Sequence, residues 1–296
     1  MPRTVASLRT DSSTRLADLE RQRPEWQAWL RLVADTERAA ADTDWCPGLE
    51  PSEPASVGST DVPLLHGRTV RVDAVQVQRL IGRLAATASE SEGAASLRSY
   101  RPSADEAIRL LAAAVRHDGD EIAEVAAARG LDAGSLMSVT HFAALPVLRS
   151  WARAHADQVP QHWPHGYCPV CAAWPIFAER RGLDRSRRLR CGRCAAEWEV
   201  EWLYCVYCNE RDHKRLDTLE PDGQGEMLKV ETCATCQGYL KSLASLQGFS
   251  DFELLLQDLE TVELDLVALE RGYRRPSHTG FPLDTVIIAN ASRHRL

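Results

Sequence analysis

Eight cysteines carry the chemistry that can be read first in this 296-residue chain, because they fall into four Cys-x-x-Cys pairs: Cys168/Cys171, Cys191/Cys194, Cys205/Cys208 and Cys233/Cys236. A two-residue gap lets both sulfurs of a pair turn toward one point. Each pair can therefore supply half of a tetrahedral thiolate site for zinc, or for iron of the rubredoxin type. The intervals between pairs are 19, 10 and 24 residues. The two long intervals can each hold a hairpin, and the short one reads as a connection. This pattern places Cys168, Cys171, Cys191 and Cys194 around one metal ion, and Cys205, Cys208, Cys233 and Cys236 around a second, as two ribbons in series.

Other readings of these cysteines fit less well. A disulfide framework suits a small secreted chain, but the first twenty residues contain Arg3, Arg9 and Arg15 with acidic groups and no apolar run. A thioredoxin-like redox pair explains one Cys-x-x-Cys, not four. Cys46, in Trp-Cys-Pro-Gly, has no partner pair and reads as a small apolar filler or an incidental thiol. His162, His165 and His213 lie near the pairs, but eight cysteines already fill two sites.

The residue after the second cysteine of such a pair often needs a left-handed conformation, which Gly adopts most easily and Asn tolerates. Here the residues are Ala172, Ala195, Asn209 and Gln237, so an altered turn or weaker binding is expected at the first site and firmer iron binding at the second. Two divalent ions in four-thiolate sites leave negative charge, which Arg187, Arg188, Arg190 and Arg193 are placed to offset. The same run also permits a nucleic-acid patch. Between residues 161 and 248, however, twelve Lys and Arg face twelve Asp and Glu, and the whole chain carries a net charge of -7. Nucleic acid is disfavoured as a partner. No apolar run approaches the ~18 residues of a membrane-spanning helix.

Helices must position these sites. Residues 14–22 form a short helix, and Pro24 opens another whose buried face carries Trp26, Leu30 and Val33. A Pro-, Gly- and Ser-rich loop spans about 46–63. Asp73 with Gln76 and Ser103 with Glu106 have capping-box spacing, and Gly130 suits a helix stop. Pro146 divides 136–155 into two helices or one kinked helix. His117 and His141 fall in this block and read as structural residues.

Residues 197–204 alternate like a half-buried strand, as do 228–232, and Pro221-Asp222-Gly223 supplies a turn. Ser250 and Glu253 cap a last helix, with Phe252, Leu255, Leu256, Leu259, Val262, Leu266 and Leu269 on its apolar face, ending at Gly272 and Pro276. Val286-Ile287-Ile288 adds a short strand or stays loose. The fold class is α+β, with an α-helical domain at 1–160, two tandem metal modules at 161–248 and a C-terminal helix and tail at 249–296.

Particular residues then carry a resemblance. The run Tyr167-Cys-Pro-Val-Cys171, Leu189-Arg-Cys191-x-x-Cys194, Trp198, Cys205-x-x-Cys208, Glu231-x-Cys233-x-x-Cys236 and Gly238-Tyr-Leu-Lys241 continues with Asp258-Leu, Leu264-Asp-Leu266 and Glu270-Arg-Gly-Tyr273. It resembles the FdhE family of formate dehydrogenase accessory proteins. This chain has Ala172-Ala173 where the family motif usually continues with Gly-Ser. The resemblance implies a cytoplasmic, non-catalytic protein required for active formate dehydrogenase. It also implies iron in rubredoxin-like Cys sites and association with the catalytic subunit of the enzyme. Zinc in the same sites and a zinc-ribbon nucleic-acid binder are the alternatives.

Overall fold

The computed structural model describes residues 12–42, 45, 61–160, 162–221 and 227–290. Arg3, Arg9, Cys46, most of the 46–63 loop and the Asp222-Gly223 turn lie outside the described residues. The helices start where side chains can take up free amides. Asp73 accepts from Val75 and Gln76 at the start of α3 (Ala74–Ala88), and Ser103 from Glu106 at α4 (Ala104–Arg116). Asp118 and Asp132 do the same for α5 (Gly119–Arg129) and α6 (Ala133–Ala154). The first two boxes are one-sided; in the second, Glu106 is held by Arg129 instead. Gly130 stops α5 at φ 64°. Pro146 is buried within α6, which runs through it as one helix of 22 residues.

These helices pack around Leu80, Ile81, Leu84, Leu110, Leu111, Leu136 and Val139. Earlier in the chain, α1 (Ser12–Gln22) and α2 (Gln27–Asp42) flank a single 3-10 turn that begins at Pro24. Leu30 of α2 leaves the main core to pack with Leu19 and Leu256, while Leu32 stays in it. The tail also returns: β1 (Thr69–Val72) pairs in parallel with β8 (Val286–Ala289).

A six-stranded sheet holds the cysteine modules. Its strands are β2 (Phe177–Arg181), β3 (Ser186–Arg190), β4 (Glu197–Glu199), β5 (Leu216–Leu219), β6 (Leu228–Cys233) and β7 (Tyr239–Ser245). Their order is β4-β3-β2-β7-β6-β5. Each module is an antiparallel hairpin followed by a third strand on the same edge, and parallel pairing of β2 with β7 fuses the two. The repeat is close: the residue before the third cysteine of each module pairs with the residue six after that cysteine, Arg190↔Glu197 and Thr232↔Tyr239. The ribbons expected in series therefore lie side by side in one sheet.

Two expected elements are shorter than their patterns. The strand expected over 197–204 stops at Glu199, and the chain beyond leaves the ladder with Trp202 and Leu203 exposed. The C-terminal helix runs as α7 (Asp251–Glu260) and α8 (Val262–Glu270), broken at Thr261. Lys241 takes the Asp258 carbonyl at 3.1 Å, and the Thr261 hydroxyl takes the Gln257 carbonyl at 2.7 Å, which withdraws acceptors from the helical ladder. After the break the register shifts. Leu264 and Ala268 pack on Val230 and Tyr239 of the sheet, and Leu266 and Leu269 of the expected apolar face are exposed.

The main core does not end where the helical block ends. It continues through Cys168, Val170, Cys171, Ala172, Leu189, Cys191 and Trp198, so the first cysteine module shares its interior with α3–α6. The main core also reaches the second module through Tyr204, Val206 and Leu240, and smaller clusters complete the packing: Val230 and Tyr239 with α8, and Phe177 of β2 and Leu243 with Leu254 of α7.

Candidate metal centres

Each Cys-x-x-Cys pair folds into the same turn. The amide of the first cysteine donates to the carbonyl five residues on: Cys168 to Ala173 (2.8 Å), Cys191 to Ala196 (2.9 Å), Cys205 to Glu210 (2.9 Å) and Cys233 to Gly238 (3.0 Å). The residue after each second cysteine is left-handed, with φ 61° at Ala172, 62° at Ala195, 59° at Asn209 and 55° at Gln237. The altered turn expected at the first site is therefore not found. Two alanines adopt a conformation that costs roughly 1–2 kcal/mol each, because closing the turn on its two sulfurs demands it. Amides also point at sulfur in both modules. Val170 donates to Cys168 and Arg193 to Cys191, each at 3.4 Å. The amides of Tyr207 and Cys208 serve Cys205, and those of Thr235 and Cys236 serve Cys233.

The turns bring the sulfurs together in two groups, Cys168, Cys171, Cys191 and Cys194, and Cys205, Cys208, Cys233 and Cys236. Within each group all the sulfurs lie within 4.8 Å of one another. The closest approaches are 3.5 Å for Cys168–Cys194 and for Cys171–Cys191, 3.6 Å for Cys205–Cys236 and 3.7 Å for Cys208–Cys233. Bonds of about 2.3 Å to a tetrahedral metal put sulfurs about 3.8 Å apart. The donor set and spacing fit a closed thiolate site for zinc or iron in both modules.

Proton affinities show why such groups call for a cation. Burial pushes the Cys168 and Cys194 thiols well up. Burial acts on Cys191 too, but hydrogen bonds from Cys168, Cys171 and Cys194 outweigh it and lower that thiol. In the second group burial raises Cys236 to about 11 and also raises Cys205, while amides of Cys236 and Thr235 overcome burial to lower Cys233. Four thiolates gathered at one point repel one another, and a positive ion offsets that repulsion.

The groups differ in their surroundings. Cys168, Cys171, Cys191 and Cys194 are all buried. In the second group Cys205 and Cys233 are buried, and Cys208 and Cys236 are exposed. Above the first group, His117 Nε2 lies 3.3 Å from the Cys171 carbonyl and 2.5 Å from Arg193 Nη1, and Arg193 also donates to the Ala114 carbonyl. Burial and then Arg193 hold His117 far below its ordinary value and bring His141 down to about 4. These residues bind α4 to the first module. His165 lies 3.4 Å from Asp61 and His213 3.9 Å from Asp212, and among the described residues no histidine joins either sulfur group.

Three of the four arginines in the run, Arg187, Arg188 and Arg190, are held in ion pairs. Arg187 binds Glu231 at 2.5 Å, Arg188 binds Glu199 at 3.2 Å, and Arg190 binds Glu179 at 2.7 Å. Arg187 and Arg190 are 2% and 3% exposed, which removes them from any surface a nucleic acid could meet. A second buried network was present in the sequence only as unexplained motif residues. Lys241, fully buried, lies 2.6 Å from both Asp258 and Asp265, and Arg275 lies 3.0 Å from Asp265. Tyr239 donates to Asp265 and Tyr207 to the Tyr239 carbonyl, so the network joins α7 and α8 to the Cys205–Cys208 turn of the second module. Gly238 permits this approach: a Cβ there would sit 2.6 Å from Tyr207 and 3.0 Å from the Cys236 sulfur.

Residues 203–281 match the family model described as FdhE, C-terminal domain. A protein named "Protein FdhE homolog" from Stutzerimonas stutzeri (strain A1501) is 40% identical over 111 residues, 36% of this chain and 35% of that protein. "Protein FdhE" of Escherichia coli O127:H6 is 32% identical over 120 residues, 39% of this chain and 37% of that protein. The chain thus spans little more than a third of the length of the relatives it matches. The crystal structure of the FdhE protein from Pseudomonas aeruginosa has the same fold, with a TM-score of 0.60 at 24% identity, over 92% of this chain and 94% of that one. The chain is thus similar to FdhE proteins in its C-terminal domain and over about a third of its sequence, and it shares the fold of the Pseudomonas aeruginosa protein.

Proposed function

We propose that this chain is a cytoplasmic accessory protein for the maturation of formate dehydrogenase. In this reading it holds two metal ions through its eight paired cysteines and docks the catalytic subunit of the enzyme. The observation that carries the reading is the pair of four-cysteine groups, each able to surround an ion with four protein ligands. Cys168, Cys171, Cys191 and Cys194 would hold one ion, and Cys205, Cys208, Cys233 and Cys236 the other. An ion so enclosed keeps no open position for substrate or activated water, which favours a binding and structural or electron-carrying role over hydrolysis. When bound, zinc would supply cohesion between turns, and iron would add a one-electron couple. The ion pairs that occupy Arg187, Arg188 and Arg190 weigh against the nucleic-acid alternative.

The test is to purify the tagged chain without oxygen from cells expressing formate dehydrogenase. Two metal ions per chain, co-purification of the catalytic subunit and loss of dehydrogenase activity on gene deletion are expected. Full dehydrogenase activity in the deletion strain, or no metal in anaerobically purified protein, contradicts the proposal.

A further inference from the structure

We infer that the second four-cysteine group is an oxidant-releasable metal site, in which Cys208 and Cys236 react with peroxide and Cys233 and Cys205 resolve them. The inference rests on the proposed reading of both groups as metal sites. Its basis is how exposure is distributed over the close sulfur pairs. Each close pair in the second group joins one exposed cysteine to one buried cysteine: Cys208 with Cys233 at 3.7 Å, and Cys236 with Cys205 at 3.6 Å. In the first group both members of each close pair are buried. An accessible thiolate beside a resolving cysteine is the arrangement that peroxide oxidises.

The chemistry closes on peroxide alone. The Cys208 thiolate attacks hydrogen peroxide, so that an S–O bond forms, the O–O bond breaks and hydroxide leaves, giving a sulfenic acid. The Cys233 thiolate attacks that sulfur; the S–S bond forms, the S–O bond breaks and a second hydroxide leaves. Two thiolates are oxidised by two electrons, and peroxide is reduced to two waters once both hydroxides are protonated. Cys236 and Cys205 can follow the same course. Either disulfide removes two of four ligands from the ion, which then dissociates. At the first group all four cysteines are buried, in the main core with Leu189 and Trp198, which slows the approach of peroxide.

The test uses the full chain loaded with zinc, which undergoes no redox change itself. Hydrogen peroxide is added, zinc release is followed with a chromogenic chelator, and disulfides are mapped on peptides. One zinc per chain should leave at least about tenfold faster than the other. The first link should be Cys208–Cys233 or Cys205–Cys236, and reductant with zinc should reverse it. Dimedone present during oxidation should label Cys208 or Cys236. Release of both ions at one rate, release of neither, a first link within Cys168, Cys171, Cys191 and Cys194, or dimedone only on Cys205 or Cys233 overturns the inference. A chain that takes up fewer than two zinc ions before peroxide is added overturns the underlying metal-site reading, and the inference with it.

Discussion

The two cysteine groups share one local design and differ in everything around it. Four turns with the same amide-to-carbonyl bond and the same left-handed residue place their sulfurs alike. Yet the first group lies inside the core of the helical block, while the second leaves two cysteines at the surface and is backed by α7 and α8. Chelate geometry is a property of a few consecutive residues. Access to the chelate is a property of what packs against it. Two sites with nearly the same geometry can therefore differ widely in how readily metal enters, leaves or reacts.

The largest expected effect separates the groups by how much of the fold each supports. Metal in a closed thiolate site is worth on the order of 10 kcal/mol. Cys168→Ser with Cys171→Ser strikes sulfurs in the shared core and should abolish the cooperative helical transition seen by circular dichroism. Cys205→Ser with Cys208→Ser should remove one metal ion and leave most of the helical signal. Equal helical loss in the two double variants breaks the comparison.

Lys241→Met comes next. Removing one partner of a buried ion pair costs about 3–5 kcal/mol, and Lys241 holds both Asp258 and Asp265 beneath the second module. Lower thermal stability and weaker metal retention at the second group are expected, with the first group unchanged. Gly238→Ala should be milder, about 1–3 kcal/mol for a methyl forced into a filled space. It too should loosen only the metal beside Cys236, read as faster loss of one of two zinc ions.

The smallest effect is electrostatic and differs in sign between sheet and helices. Burial pushes Glu179 up, but hydrogen bonds from Arg181, Ser245 and Arg190 outweigh it, so its folded value lies below the ordinary 4.5. Its stabilisation is present above about pH 4.5 and is lost as pH falls through the lowered folded value. Glu37 in the helical block is raised by burial despite Arg149, so protonation favours its folded form and stability there falls as pH rises through the raised value. In acid titrations of the melting temperature, Glu179→Gln should remove a component that rises with pH and Glu37→Gln one that falls with pH. A change in pH dependence of the same sign in both variants contradicts the assignment.

Much of this was legible because it is local. The interval pattern grouped the cysteines, since a hairpin between paired turns needs a long interval and a connection does not. Asp73, Ser103, Gly130 and the Ser250–Glu253 capping box acted through their immediate neighbours. The rest depended on distant partners. Parallel pairing of β2 with β7 joins residues some sixty positions apart and leaves no periodic mark. The interruption at Thr261 arises where Lys241 draws on the Asp258 carbonyl, a contact no helix pattern contains. Alternation over 197–204 was real, but Trp202 alternates into solvent and not into a sheet. The arginine run could be read as a patch because its carboxylate partners, Glu179 and Glu231, come from other strands.

The central claim, a buried site beside a partly exposed one, is tested most directly by metal withdrawal with residue-level footprinting. The zinc-loaded chain would be mixed with a strong chelator, pulsed with an alkylating reagent over time, and its cysteines scored by mass spectrometry. One zinc equivalent should leave first, with Cys205, Cys208, Cys233 and Cys236 becoming alkylated while Cys168, Cys171, Cys191 and Cys194 stay protected. Loss of both equivalents in a single phase, or earlier alkylation of the Cys168 group, would contradict it.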